Sequence, residues 1–115
     1  MKQLTSCLGT IAVLLLSSGQ VLLAEPDLQQ GQVVYDRWCA PCHAPGNIYP
    51  GTVALQTKYE GKIPAALIAR TDMTPEFVKQ FVRTGVSIMP FFRKTEITDS
   101  ELDNLASFLV TKNKN

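Results

Sequence analysis

Cys39-Ala40-Pro41-Cys42-His43 is the stretch on which the reading of this chain turns. Two thiols three residues apart, followed at once by an imidazole, form the C-x-x-C-H spacing of haem attachment. The spacing has a chemical reason. Such thiols can form thioethers with two vinyl groups on one edge of a porphyrin, and the adjacent His43 then turns its imidazole under the iron. Covalent attachment also keeps haem in a chain too small to wrap it fully. Three other uses compete. A structural zinc site takes four ligands, whereas one His and a contiguous Cys pair are all that remain once a leader is removed. A thioredoxin-like dithiol needs a βαβ setting and a Cys at a helix N-terminus, but here the pair follows a helical stretch. A disulfide at this spacing would staple almost nothing. The cofactor expected is one covalent haem c on Cys39 and Cys42, with His43 on the iron.

Upstream, Lys2 precedes an uncharged stretch from Gln3 to Ala24, with an apolar run from Leu8 to Leu16 and the small and polar residues Ser17-Ser18-Gly19-Gln20 beyond it. A basic start, a short apolar run and small residues make a secretory signal peptide. The expectation is a leader over residues 1–24 and a single domain over 25–115, with cleavage after Gly19 as the alternative. A retained anchor competes, but Ser17 to Gln20 interrupt the roughly 20 apolar residues that spanning requires. Cys7 precedes the apolar run and leaves with the leader. The expected location is the periplasm, with no membrane association unless the leader is retained.

The whole chain has 115 residues, 45% of them hydrophobic, with 11 basic against 10 acidic side chains. That balance lacks the basic stripe that gripping nucleic acid requires, and it excludes a disordered chain. Three helical stretches stand out. The first runs from Leu28 to Cys39, with Val33, Val34, Tyr35 and Trp38 at helical spacing. The second starts at the N-cap Thr74 with Pro75 and Glu76 in its first turn, carries Phe77, Val78, Phe81 and Val82, and ends at Gly85 as a left-handed cap. The third starts at Thr98 with Glu101 completing a capping box, and turns Leu102, Leu105, Ala106 and Leu109 inward with Phe108 beside them. A short turn is expected over Pro64 to Ala69. Ala44 to Gly51 and Val86 to Thr95 read as loops, and no stretch has a period of two. The fold class is all-α, three to four helices around one bulky apolar group.

His43 is the only His, so two His ligands are excluded. Met89 is the candidate for the second axial position. It follows a helix and precedes Pro90, which favours an extended backbone, and it lies 46 residues beyond His43. Met73 sits before an N-cap and reads as a core side chain. It and an open or water-bound iron are the alternatives. His/Met ligation raises the potential of haem, and with both axial positions filled no site remains for O₂ or peroxide.

These residues resemble a small class I cytochrome c: the Gly31-to-Tyr35 helix, Cys39 to His43, Met89-Pro90 and the terminal helix. The resemblance implies that the first and last helices cross, with Gly31, Tyr35 and Phe108 in contact. It also implies that Pro50 offers its carbonyl to the ligand His, although Tyr49-Pro50-Gly51 departs from the usual Gly-Pro-x-Leu. Arg70 to Val78, Val82 to Val86 and Met89 to Ile97 are similar to the cytochrome subunits of flavin-dependent 4-alkylphenol hydroxylases, such as 4-cresol and eugenol dehydrogenases. The implied function is single-electron transfer as the accepting subunit of such a flavoprotein, followed by reduction of a soluble carrier. A free carrier serving a quinoprotein or molybdenum dehydrogenase is the alternative.

Under this resemblance Ile88, Phe91 and Phe92, rimmed by Arg93 and Lys94, are the candidate docking surface. Packing of Phe91 or Phe92 on the porphyrin is the competing use. Arg70 and Arg83 are candidates for the haem propionates, with solvated charge as their alternative. Two further functions are weighed. A haem peroxidase would want a distal acid or base, and no second His supplies one. A redox or metal-binding module without haem would leave no covalent haem in the exported protein.

Overall fold

A computed structural model of the chain describes residues 24–112. The leader expected over residues 1–24 falls, Ala24 excepted, outside the described residues.

Asp27 opens the first helix, α1 (Leu28–Val34), by accepting hydrogen bonds from the N–H groups of Gln29 and Gln30. The helix expected to run unbroken to Cys39 changes register. Tyr35–Cys39 forms a π-helical turn, and α2 (Ala40–His43) continues it. Pro41 supplies the reason. A proline inside an α-helix has no N–H to donate and its ring clashes with the carbonyl four residues back, here that of Arg37. Widening the turn so that the Ala40 N–H reaches the Tyr35 carbonyl removes that conflict. Val33, in α1, lies outside the core at 56% exposure, contrary to its assignment to the apolar face.

The loop after His43 is shorter than expected. It ends at Tyr49, and Pro50 is the first residue of a further helix, α3 (Pro50–Tyr59). Tyr49 has the extended backbone that a following proline imposes, and Pro50 occupies the helix position where a missing N–H costs nothing. Glu60 and Gly61 close α3 with consecutive positive φ angles. A single 3₁₀ turn, Leu67–Ala69, occupies the short stretch expected there.

The last two helices follow their signals. In α4 (Pro75–Thr84) the Thr74 hydroxyl accepts from the Phe77 N–H at 3.2 Å. Gly85 ends it with φ 66° but ψ 175°, so the residue is extended beyond the helix and does not form the left-handed cap expected. That combination is essentially restricted to glycine. In α5 (Asp99–Lys112) the capping box is complete. The Thr98 N–H donates to Glu101 Oε2 at 2.8 Å, and the Glu101 N–H donates to the Thr98 hydroxyl at 3.2 Å.

The core forms where α1 and α4 pack on α5. Ile97, Leu105 and Leu109 are fully enclosed, with Val34, Val78, Val82, Leu102 and Ala106 around them. Met73 is buried there as well, as its core reading requires. Gly31 makes the α1–α5 crossing possible: a Cβ on it would lie 2.3 Å from the Asn104 carbonyl oxygen and 2.7 Å from Phe108 Cβ. Tyr35 and Phe108 rings meet at 6.0 Å, and the Asp27 N–H donates to Asn104 Oδ1 at 2.9 Å. All three residues expected at the crossing are in it. The sole bridge among the described residues joins Val86 to Met89, and no strand forms. The described residues form an all-α fold, as the resemblance to a small class I cytochrome c implies.

Candidate functional site

Cys39, Cys42 and His43 sit at the far end of the α1–π–α2 rod, and the rod is held by its crossing with α5. Cys39 is half-buried and Cys42 exposed, and both thiols are unbridged. Burial, with Cys42 adding to it, pushes the Cys39 thiol up to about 12. A redox dithiol works as thiolate and requires the opposite shift. Among the described residues no three His, Cys, Asp or Glu side chains gather to hold a metal ion, so a structural zinc site has too few ligands. The zinc use lacks ligands, and the upward shift of the Cys39 thiol counts against the dithiol.

The backbone around His43 is fixed from two sides. The Tyr35 hydroxyl donates to the His43 carbonyl at 3.3 Å, and the Thr52 hydroxyl donates to the Ala44 carbonyl at 2.8 Å. The imidazole lies against the first turn of α3. A Cβ on Gly51 would fall 2.6 Å from His43 Cε1, 2.8 Å from its Nδ1 and 2.7 Å from the Cys42 carbonyl oxygen. Glycine is therefore what lets α3 start here, a feature the sequence reading missed. Its only local signal is a Pro-Gly pair shortly after the haem motif.

His43 Nδ1 is buried and has no hydrogen-bond partner. Pro50 therefore does not take the part assigned to it: as the first residue of α3, its carbonyl belongs to the helix ladder. Burial holds the imidazole below its ordinary pKa, and Arg70 adds to this, so His43 is neutral and keeps a lone pair for a metal. An unsatisfied buried ring nitrogen is rare enough in a folded chain to demand a functional explanation. A neutral imidazole beside two unbridged thiols fits a covalently held haem.

Met89 lies half-buried at the end of a tight turn off α4. The Val86 N–H donates to the Met89 carbonyl at 3.1 Å, and the Met89 N–H returns the bond at 2.9 Å. Three residues on, the Phe92 ring meets Trp38 edge-on at 5.6 Å. Trp38 immediately precedes Cys39, so this contact ties the chain just beyond Met89 to the residue before the haem motif. It also divides the expected docking surface. Ile88 and Phe91 are 86% and 58% exposed, whereas Phe92 packs inward against the core.

Neither arginine is a solvated charge. Arg70 is 3% exposed and pairs with both carboxylate oxygens of Asp72 at 2.9 and 2.6 Å, with its guanidinium over the rings of Tyr59 and Phe77. Arg83 donates to two backbone carbonyls and to Asp99. A hollow of about 490 Å³ opens beside α3 between Pro45, Thr52, Gln56 and Ala65, and its wall includes none of Cys39, His43 and Met89.

A family model described as cytochrome c oxidase, cbb3-type, subunit III matches residues 26–109. A cytochrome c6 of Cyanidioschyzon merolae (strain NIES-3377 / 10D) is 32% identical over 91 residues, covering 76% of this chain and 77% of that protein. The chain belongs to the cytochrome c family. Cytochromes of this family bind haem c covalently, and this one presents Cys39 and Cys42 for it. They carry electrons and are not themselves enzymes. Among the described residues of the cytochrome, no helix is long and apolar enough to cross a membrane.

Proposed function

We propose that this cytochrome is a periplasmic single-electron carrier, with Cys39 and Cys42 forming the thioethers and His43 and Met89 the axial ligands of one haem c. The Trp38–Phe92 contact carries the reading, because it ties the chain three residues beyond Met89 to the segment that ends in His43. When bound, the haem supplies a one-electron couple whose potential is raised by His/Met ligation. The protein's own part is to hold the two ligand side chains in place and to keep small molecules off both faces. The Tyr35 and Thr52 hydroxyls immobilise the backbone at His43 and Ala44. Replacing Met89 with Ala should abolish the weak red absorption of an Fe(III)–thioether bond and lower the potential. An unchanged spectrum would transfer the role to Met73.

The donor in this reading is a flavin-dependent 4-alkylphenol dehydrogenase, and the electron leaves to a soluble carrier. The exposed side chains of Ile88 and Phe91 form the docking surface, because an apolar contact excludes water without fixing one register. Reduction by a purified flavoprotein of that class should be fast, and Phe91→Glu should slow it while leaving the spectrum intact. Equal rates for the variant would remove the surface. Preferential reduction by a quinoprotein or molybdenum dehydrogenase would reassign the donor.

A further inference from the structure

The chain between α4 and α5 makes a closed excursion. It leaves α4 through Gly85, turns back between Val86 and Met89, and returns where the Phe92 N–H donates to the Val82 carbonyl at 2.8 Å. Two residues in it have positive φ, Gly85 at 66° and Ser87 at 54°. A serine in that region is strained, and such a conformation persists only where its surroundings hold it. The reciprocal Val86 and Met89 hydrogen bonds close the turn around Ser87, and Arg83, in the last turn of α4, ties down the return of the excursion. Its NH1 donates to the Phe92 carbonyl at 3.1 Å and to the Ile97 carbonyl at 2.9 Å, and its NH2 donates to Asp99 Oδ1 at 2.8 Å. One planar guanidinium thus spans the return of the excursion, the buried residue that follows it and the first residue of α5. Lysine, a single point donor, cannot reproduce that fork.

We propose that Arg83 is a positioning residue for Met89. It keeps the excursion in the shape that presents the thioether, and so sets how readily the axial ligand is displaced. This rests on the reading of Met89 as a ligand. The Met89→Ala spectrum tests that reading separately.

The experiment uses the haem-loaded protein, with imidazole as the competing ligand and the red absorption of the oxidised form as the readout. Arg83→Gln should raise imidazole affinity about tenfold, the effect of losing one charge-assisted hydrogen bond. Arg83→Lys should fall between the two. Val34→Ala, a core truncation in α1, serves as the stability control: it should lower the urea midpoint and leave imidazole affinity unchanged. If Arg83→Gln loses stability with no gain in imidazole affinity, the positioning role is overturned. If that variant yields no holoprotein, Arg83→Lys decides in the same way, with wild-type affinity overturning the proposal. Loss of the red absorption in Met89→Ala together with unchanged affinity in Arg83→Gln would remove the positioning role alone.

Discussion

A hydrogen atom in place of a methyl at Gly51 lets α3 close on the imidazole of His43. Gly51→Ala would press a Cβ to within 3 Å of two ring atoms and the Cys42 carbonyl oxygen, so either the ring or the helix must shift. We expect a loss of about 1–3 kcal/mol, the usual cost of overpacking, with a displaced visible spectrum. Urea unfolding of the holoprotein and its absorption bands check this, and wild-type values in both would contradict it. Cys39, Cys42 and His43 were legible because their chemistry lies in contiguous positions. Gly51 was not, because a close approach between two helices is a property of the tertiary fold. The burial of Arg70, read from the sequence as a propionate partner or a solvated charge, was missed for the same reason: Tyr59, Asp72 and Phe77 enclose it from segments on either side, and no local pattern marks an arginine for burial.

Among the elements, α4 and α5 announce themselves through their caps and apolar stripes, whereas α3 does not. Pro50 and Gly51 read as loop residues, and the only buried residue of that helix is the polar Thr52. With no apolar face to bury, its sequence carries no helical period. The start of α5 makes a prediction about pH. The Thr98 N–H and hydroxyl hold the Glu101 carboxyl below its ordinary pKa, the Arg93 N–H does so for Glu96, and Lys94 with Arg83 does so for Asp99. Each carboxylate is thus more acidic folded than unfolded. Its contribution to stability is present above the ordinary carboxylate range and is lost as pH falls through the depressed folded value. The protein should therefore be less stable at about pH 3 than at about pH 7. Thr98→Ala should cost about 1 kcal/mol at neutral pH and narrow the gap between the two, because Glu101 loses its hydroxyl donor while keeping the backbone N–H of residue 98. Parallel urea titrations decide, and an unchanged gap would count against the capping box as the cause.

At the scale of the whole molecule, the crossing of α1 and α5 joins the two ends of the described chain, and α3 and the Met89 excursion hang from that joint. The helical class was legible from periodicity and the crossing from family resemblance, since a contact between residues so far apart in sequence leaves no trace in local pattern. The exposed turn at Glu60 and Gly61, where α3 ends, is the natural place for a protease to nick the chain. The nick would leave His43 on one fragment and Met89 on the other. Because Gly31, Tyr35 and Phe108 knit the fragments from opposite sides of the cut, they should migrate as one species in native gel filtration and as two on a denaturing gel. On the proposed reading of Met89 as a ligand, the split protein should also keep the red absorption of its oxidised form, with one iron then held between two polypeptides that no peptide bond connects.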